Sequence, residues 1–153
     1  MMIRLTAFAL LAFSGQAVGQ DAPDLVGTWV KTAGHILYWN GEINEIPDQF
    51  ETAMIVIHDQ TGPVFEGTQI SIAADQANAG RHGTEPLSDD GHPLLGSIGW
   101  DGRSITLVDI GDTTTQQCTL VDANRMECSI AEAGEHALAG RYVLERKEQE
   151  TTE

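Results

Sequence analysis

From Leu25 onward the chain carries short runs of apolar, β-branched and aromatic residues, separated at near-regular intervals by Gly, Asn, Asp and Pro. Helix signals are nearly absent, and this rhythm of short runs and turn clusters predicts strands. The first run is Leu25 to Val30. His35-Ile36-Leu37-Tyr38-Trp39 and Glu42-Ile43-Asn44-Glu45-Ile46 follow, joined by Asn40-Gly41. That dipeptide predicts a hairpin with a type I′ turn, in which both central residues take positive φ. Pro47 and Asp48 interrupt the pairing. Thr52 to Asp59 is the next strand, and Gln60-Thr61-Gly62-Pro63 turns the chain into Val64 to Ala73. A polar stretch from Asp75 to His92 has the length of a functional lid or a disordered loop. Strands then resume over Leu94 to Trp100, Ser104 to Ile110, Thr113 to Val121, Arg125 to Ile130 and Ala137 to Glu145.

The count is eight principal strands, with the Asn40-Gly41 hairpin elaborating the first connection. Tight turns between successive strands make a meander, and closing a meander removes both exposed edges. The expected fold is therefore all-β: a single eight-stranded antiparallel up-and-down barrel over residues 24–147, ahead of a charged tail at 148–153. A two-sheet sandwich is the alternative, but its crossovers need longer connections than most of those present.

The N-terminus changes the setting. Arg4 precedes an unbroken run from Leu5 to Phe13, too short to span a bilayer, and Ala17-Val18-Gly19 provides small residues for cleavage. Residues 1–19 read as a signal peptide, which places the mature chain of about 134 residues in a periplasm or outside the cell. Loss of Arg4 moves the formal charge from −15 to −16, because no acid is lost with it. The acids are dispersed, which suits a solvated surface and argues against nucleic acid or an anionic membrane as partner. In an oxidising compartment the two cysteines, Cys118 and Cys128, are expected to form one disulfide. A three-residue turn at Asp122-Ala123-Asn124 sets them opposite each other.

Gly27-Thr28-Trp29 forms a Gly-x-Trp motif on the first strand, and Tyr142-Val143-Leu144-Glu145-Arg146 lies on the last. Together they resemble the calycin pattern shared by lipocalins, fatty-acid-binding proteins and avidins. Val64 to Thr68 and Pro93 to Gly96 are similar to strands of bacterial avidin-like barrels. The resemblance implies that Trp29 plugs the barrel floor beside Gly27 and that Arg146 stacks on it, with Arg141 as the competing cation. The biotin-contacting residues of avidins have no counterparts here, so the resemblance speaks to fold rather than ligand.

A small barrel holds packed side chains or one small ligand. Inward Gly27, Gly67, Gly96 and Gly140 either leave a hollow or mark places where strands bend closely. His35, Tyr38, Trp39 and Trp100 are candidates for an aromatic rim. Tyr38 and Trp39 equally suit packing of the hairpin onto the barrel. His58 faces either the ligand or water. His82, His92, Glu85, Asp89 and Asp90 have metal-ligand chemistry without a ligand spacing, and His136 lies in a turn. No metal or cofactor is assigned. Catalytic motifs are absent, although Glu66 or Asp109, if buried, would serve as a general base.

Three functions follow. The first is a binding protein for a small apolar or aromatic ligand, contacted by Tyr38, Trp39, His58 and Trp100 in an internal cavity open at the Asp75–His92 end. The second is an isomerase or cyclase, which requires a buried carboxylate or histidine with a hydrogen-bonding neighbour. The third is a protein-interaction or inhibitor module using Gln20 to Asp24 as an arm. The oligomeric state is not legible.

Overall fold

A computed structural model describes residues 22–46, 50–73, 91–111, 113–135 and 137–148. Nine strands run through them: β1 Gly27–Tyr38, β2 Ile43–Ile46, β3 Phe50–Thr61, β4 Val64–Ala73, β5 His92–Ile98, β6 Ser104–Asp109, β7 Thr115–Asp122, β8 Arg125–Glu132 and β9 Leu138–Arg146. Each strand from β3 to β8 pairs antiparallel with the next, and β1 pairs with both β3 and β9. The result is a closed eight-stranded up-and-down barrel with β2 as an additional strand on β1. The expected signal peptide, most of the Asp75–His92 stretch (with His82, Glu85, Asp89 and Asp90), His136 and the tail from residue 149 lie outside the described residues.

Two expected segments, Leu25 to Val30 and His35 to Trp39, fall largely on the lower and upper halves of one 12-residue strand, β1, with Leu25, Val26 and Trp39 just beyond its ends. Its lower half pairs with β3 through Val30↔Met54, and its upper half pairs with β2 from Gly34↔Ile46. A bulge between Lys31 and Ala33 marks the change of neighbour. The Asn40-Gly41 hairpin forms with a different turn from the one expected. Among the described residues only glycines have positive φ, so Gly41 (φ 83°) is left-handed and Asn40 is not. Tyr38 N donates to Glu42 O, and Gly41 N to Tyr38 O, each at 2.9 Å. This is a three-residue loop, which needs one left-handed residue where type I′ needs two.

The hairpin between β7 and β8 also reaches the expected pairing by another route. Its loop is the two residues Ala123 and Asn124, since Asp122 pairs with Arg125. Alone, that turn would misalign the cysteines by one residue. A register shift between Leu120 and Asp122 restores Cys118↔Cys128. The sulfurs are bonded at 2.01 Å, and both residues are buried within the barrel.

Alternation, reset where a strand bulges, puts one face of the strands inside, as in β7, where Gln116, Cys118 and Leu120 are buried between exposed neighbours. The inward set in the lower half is apolar: Trp29, Ile57, Phe65, Ile98, Ile105, Leu120, Met126 and Leu144. This end carries the β3–β4, β5–β6 and β7–β8 turns and is sealed by the N-terminal segment. Leu25 is fully buried, and its carbonyl accepts a 2.9 Å bond from Trp29 Nε1. The Gln60 amide accepts from Leu25 N and donates to Pro23 O. Pro23 and Asp24 are therefore strapped to the floor, contrary to a free arm ending at Asp24. Residues 20 and 21 lie outside the described residues.

The inward glycines leave no hollow. A Cβ on Gly96 would lie 2.1 Å from the Phe65 ring, one on Gly67 2.4 Å from Val56 O, and one on Gly140 2.6 Å from His35 O. Each marks a close approach, because another group already occupies the missing side chain's place. Gly27 has φ 136°, and a Cβ there would meet Arg146 Nη1 at 3.7 Å.

Candidate functional site

Toward the end of the barrel opposite Trp29, the inward register turns polar. Trp29 is followed by Lys31, Gly67 by Gln69 and Ser71, and Leu107 by Asp109. On the antiparallel neighbours, Leu94 is preceded by His92, Cys118 by Gln116 and Thr114, and Leu144 by Tyr142. The alternation that buries aliphatics in the lower half therefore buries amide, phenol, carboxyl and ammonium groups above them.

These groups are joined. Gln116 Nε2 donates to Gln69 Oε1 at 2.8 Å, Lys31 Nζ approaches the same oxygen at 3.5 Å, and the Tyr142 hydroxyl donates to Gln116 Oε1. Lys31 Nζ also lies 4.8 Å from the centre of the Tyr142 ring, a cation–π distance. Asp109 is 4% exposed, and its Oδ1 is 4.0 Å from Nδ1 of His92, whose ring reaches the surface. Thr114 Oγ1 donates to Glu132 Oε2 at 3.4 Å. Ile36 and Tyr38 of β1 add buried apolar surface on the inward face of the same end.

Burial sets the electrostatics. Removal from water lowers the Lys31 pKa from 10.5 to about 8, against the opposing pull of the Asp109 charge. Burial pushes the Tyr142 phenol well above its ordinary value of 10. The site thus presents an amine that loses its proton readily, a phenol that keeps its own, and two amides. Among the described residues no group of three or more His, Cys, Asp and Glu side chains is arranged to hold a metal ion.

The four residues expected to line a ligand cavity are dispersed. Tyr38 is buried at the upper end of β1, whereas Trp39 next to it is 69% exposed on the hairpin loop. Trp100 is fully exposed in the β5–β6 turn, at the Trp29 end, so it neither joins a rim with Tyr38 nor lines the interior. A turn residue has no neighbouring strand to set its facing, which is why periodicity could not assign it. His58 sits in a register shift of β3, is exposed, and meets Thr68 Oγ1 at 2.8 Å. Of the two acids proposed as a buried base, Asp109 faces inward and Glu66 faces water. Lys31, Gln69, Gln116 and Tyr142 went unnoticed as a set. The available signal was a polar residue at an inward position of several strands, always toward the same end.

At the floor, the Arg146 guanidinium carbon lies 4.5 Å from the Trp29 ring centre. Its nitrogens donate to Asp24 O, Val26 O and Ala123 O. Arg141 faces outward from β9. It lines a groove of about 780 Å³ on the outer wall together with His35, Gln117, Glu127 and Ser129. A second hollow, beside Asp59, Val64 and Leu95, is also on the outer wall.

No protein family and no curated protein matches this chain. Among solved structures it is similar to a redesigned beta barrel (13% identity, 81% of this chain and 92% of the other, TM-score 0.44). A second redesigned barrel, bound to DFHBI, matches at 13% identity over 80% of this chain and 98% of the other, with a TM-score of 0.41. The S-type phycobiliprotein lyase CPES from Guillardia theta matches at 9% identity over 82% and 90% of the two chains, with a TM-score of 0.40. Likeness this remote carries no argument about ligand or activity. By its own strand order, the chain is a calycin-like small β-barrel at the level of fold.

Proposed function

We propose that this protein is an exported carrier or sensor for a small, mostly apolar molecule, held at the end of the barrel opposite Trp29 with its polar group against Lys31, Gln69, Gln116 and Tyr142. The observation that carries the reading is the polar set inside an otherwise apolar barrel. Burying an ammonium group and two amides costs stability unless they are satisfied, and an aliphatic set would pack there without that cost. The set bonds within itself, but among the described residues Lys31 Nζ makes a single long hydrogen bond, at 3.5 Å to Gln69, so the polar group of a ligand would find donors there. The sealed floor and the apolar lower half support entry from the opposite end. Buried Ile36 and Tyr38 suit the apolar part of a ligand, and a disulfide suits an exported protein.

Native mass spectrometry of mature protein from its own host's exported fraction tests this. The expected result is a stoichiometric organic mass that is lost on denaturation and retained less well by Gln69→Leu. An apo mass, together with no binding across a panel of apolar carboxylates, aldehydes and alcohols, would reject it.

The isomerase or cyclase alternative is favoured by one observation, the buried Asp109 carboxylate beside His92. Asp109→Asn separates the two readings. A carrier keeps its ligand, whereas an enzyme binds substrate but loses turnover by roughly 10²–10⁴-fold.

A further inference from the structure

The chain has two lysines, Lys31 and Lys147. Lys147 is exposed just beyond β9, whereas Lys31 is inside the barrel at 7% exposure. Its position coincides with a fork in the wall. β1 leaves β3 at Val30↔Met54, bulges after Lys31, and takes β2 as its neighbour from Gly34 onward. Among the described residues no ladder joins β2 to β3 above that point. The first inward residue of β3 above the fork is Ala53, whose side chain is short. The Lys31 amine lies beside the Tyr142 ring and the hydrogen-bonded amides of Gln69 and Gln116.

Resting on the reading of this interior as a ligand seat, we propose that Lys31 captures an apolar aldehyde as a reversible imine. The Nζ lone pair attacks the carbonyl carbon, and one amine hydrogen passes to the oxygen to give a carbinolamine. The carbon–oxygen bond then breaks as the second amine hydrogen leaves with the hydroxyl as water, and the C=N double bond remains. Both hydrogens of the water come from the amine, and nothing is oxidised or reduced. The step requires an unprotonated amine, which burial favours: about half of Lys31 is neutral near pH 8. Asp109, whose charge acts on Lys31, and His92 beside it face the same interior. The Tyr142 ring offers a flat face to a conjugated aldehyde.

The test uses the mature chain with trans-cinnamaldehyde and cyanoborohydride, read by intact mass and peptide mapping, with cinnamyl alcohol binding measured in parallel by equilibrium dialysis. Near pH 7.5 the expected adduct forms at Lys31 on the order of tenfold faster than at Lys147, and it is absent in Lys31→Arg. If the alcohol binds but the aldehyde is trapped only at Lys147 or the α-amine, the imine is rejected while the ligand seat stands. If neither compound binds and no Lys31 adduct forms, both fall. Mapping the unaltered protein decides the question even if Lys31→Arg does not fold.

Discussion

Arg146 stacks on Trp29 at 4.5 Å while its three guanidinium nitrogens hold the carbonyls of Asp24, Val26 and Ala123. One side chain therefore joins the last strand to the first, to the segment before it and to the β7–β8 turn. The fork geometry of a guanidinium makes this arrangement possible, because a single planar group donates in several directions while its face rests on an indole.

Arg146→Met should lower stability by about 1–3 kcal/mol through loss of the stacking contact and the carbonyl bonds. Arg146→Lys should recover less than half of that, since an ammonium group keeps the charge but not the fork. Urea midpoints and the emission maximum of Trp29 check this. A lysine variant as stable as the parent would show that charge alone closes the floor.

Gly96→Ala should be destabilising by about 1–3 kcal/mol, since its new methyl would sit 2.1 Å from the Phe65 ring. Adding Phe65→Leu to it should cost less than the sum of the two single changes, because the shorter side chain makes room. Equilibrium unfolding of the four proteins measures the coupling. Strict additivity would mean that the backbone, not the ring, absorbs the change.

Stability should rise with pH between about 8 and 10. In that window the folded protein has released the Lys31 proton and the unfolded chain retains it, so the unfolded state binds more protons. The rise is about 3 kcal/mol at most, from the separation between about 8 and 10.5. Above about pH 10 the sign reverses. The unfolded chain then releases tyrosine protons while the buried Tyr142 keeps its own. Asp109, His92 and Glu132 face the same interior. Comparison with Lys31→Met isolates the lysine, and in that variant the rise should vanish. A parallel rise in both proteins would assign it to other groups.

Much of the wall was legible because alternation and turn chemistry are local. Turn residues (Gly, Asn, Asp and Pro) and β-branched runs marked the strands, and a ten-residue separation between the cysteines demanded a tight hairpin whatever its details. The hairpin details were less legible. The turn at Asn40-Gly41 and the shift after Leu120 trade one residue between loop and bulge, and both solutions satisfy the same local preferences.

The sequence by itself determined an all-β meander of eight principal strands, its closure by first and last strands, and the facing cysteines, because each depends on periodicity and short-range turns. Only the tertiary structure decided which inward residues share a level. Lys31, Gln69, Gln116 and Tyr142 are far apart in the chain, and strand register is what brings their side chains together. Closure likewise decided that Trp100 lies at the far end from Tyr38, since the direction of each strand sends its terminal turn to one end or the other. Space inside a barrel is a property of all its strands at once. A glycine in one strand is filled by a ring from the next, and no single segment reveals it.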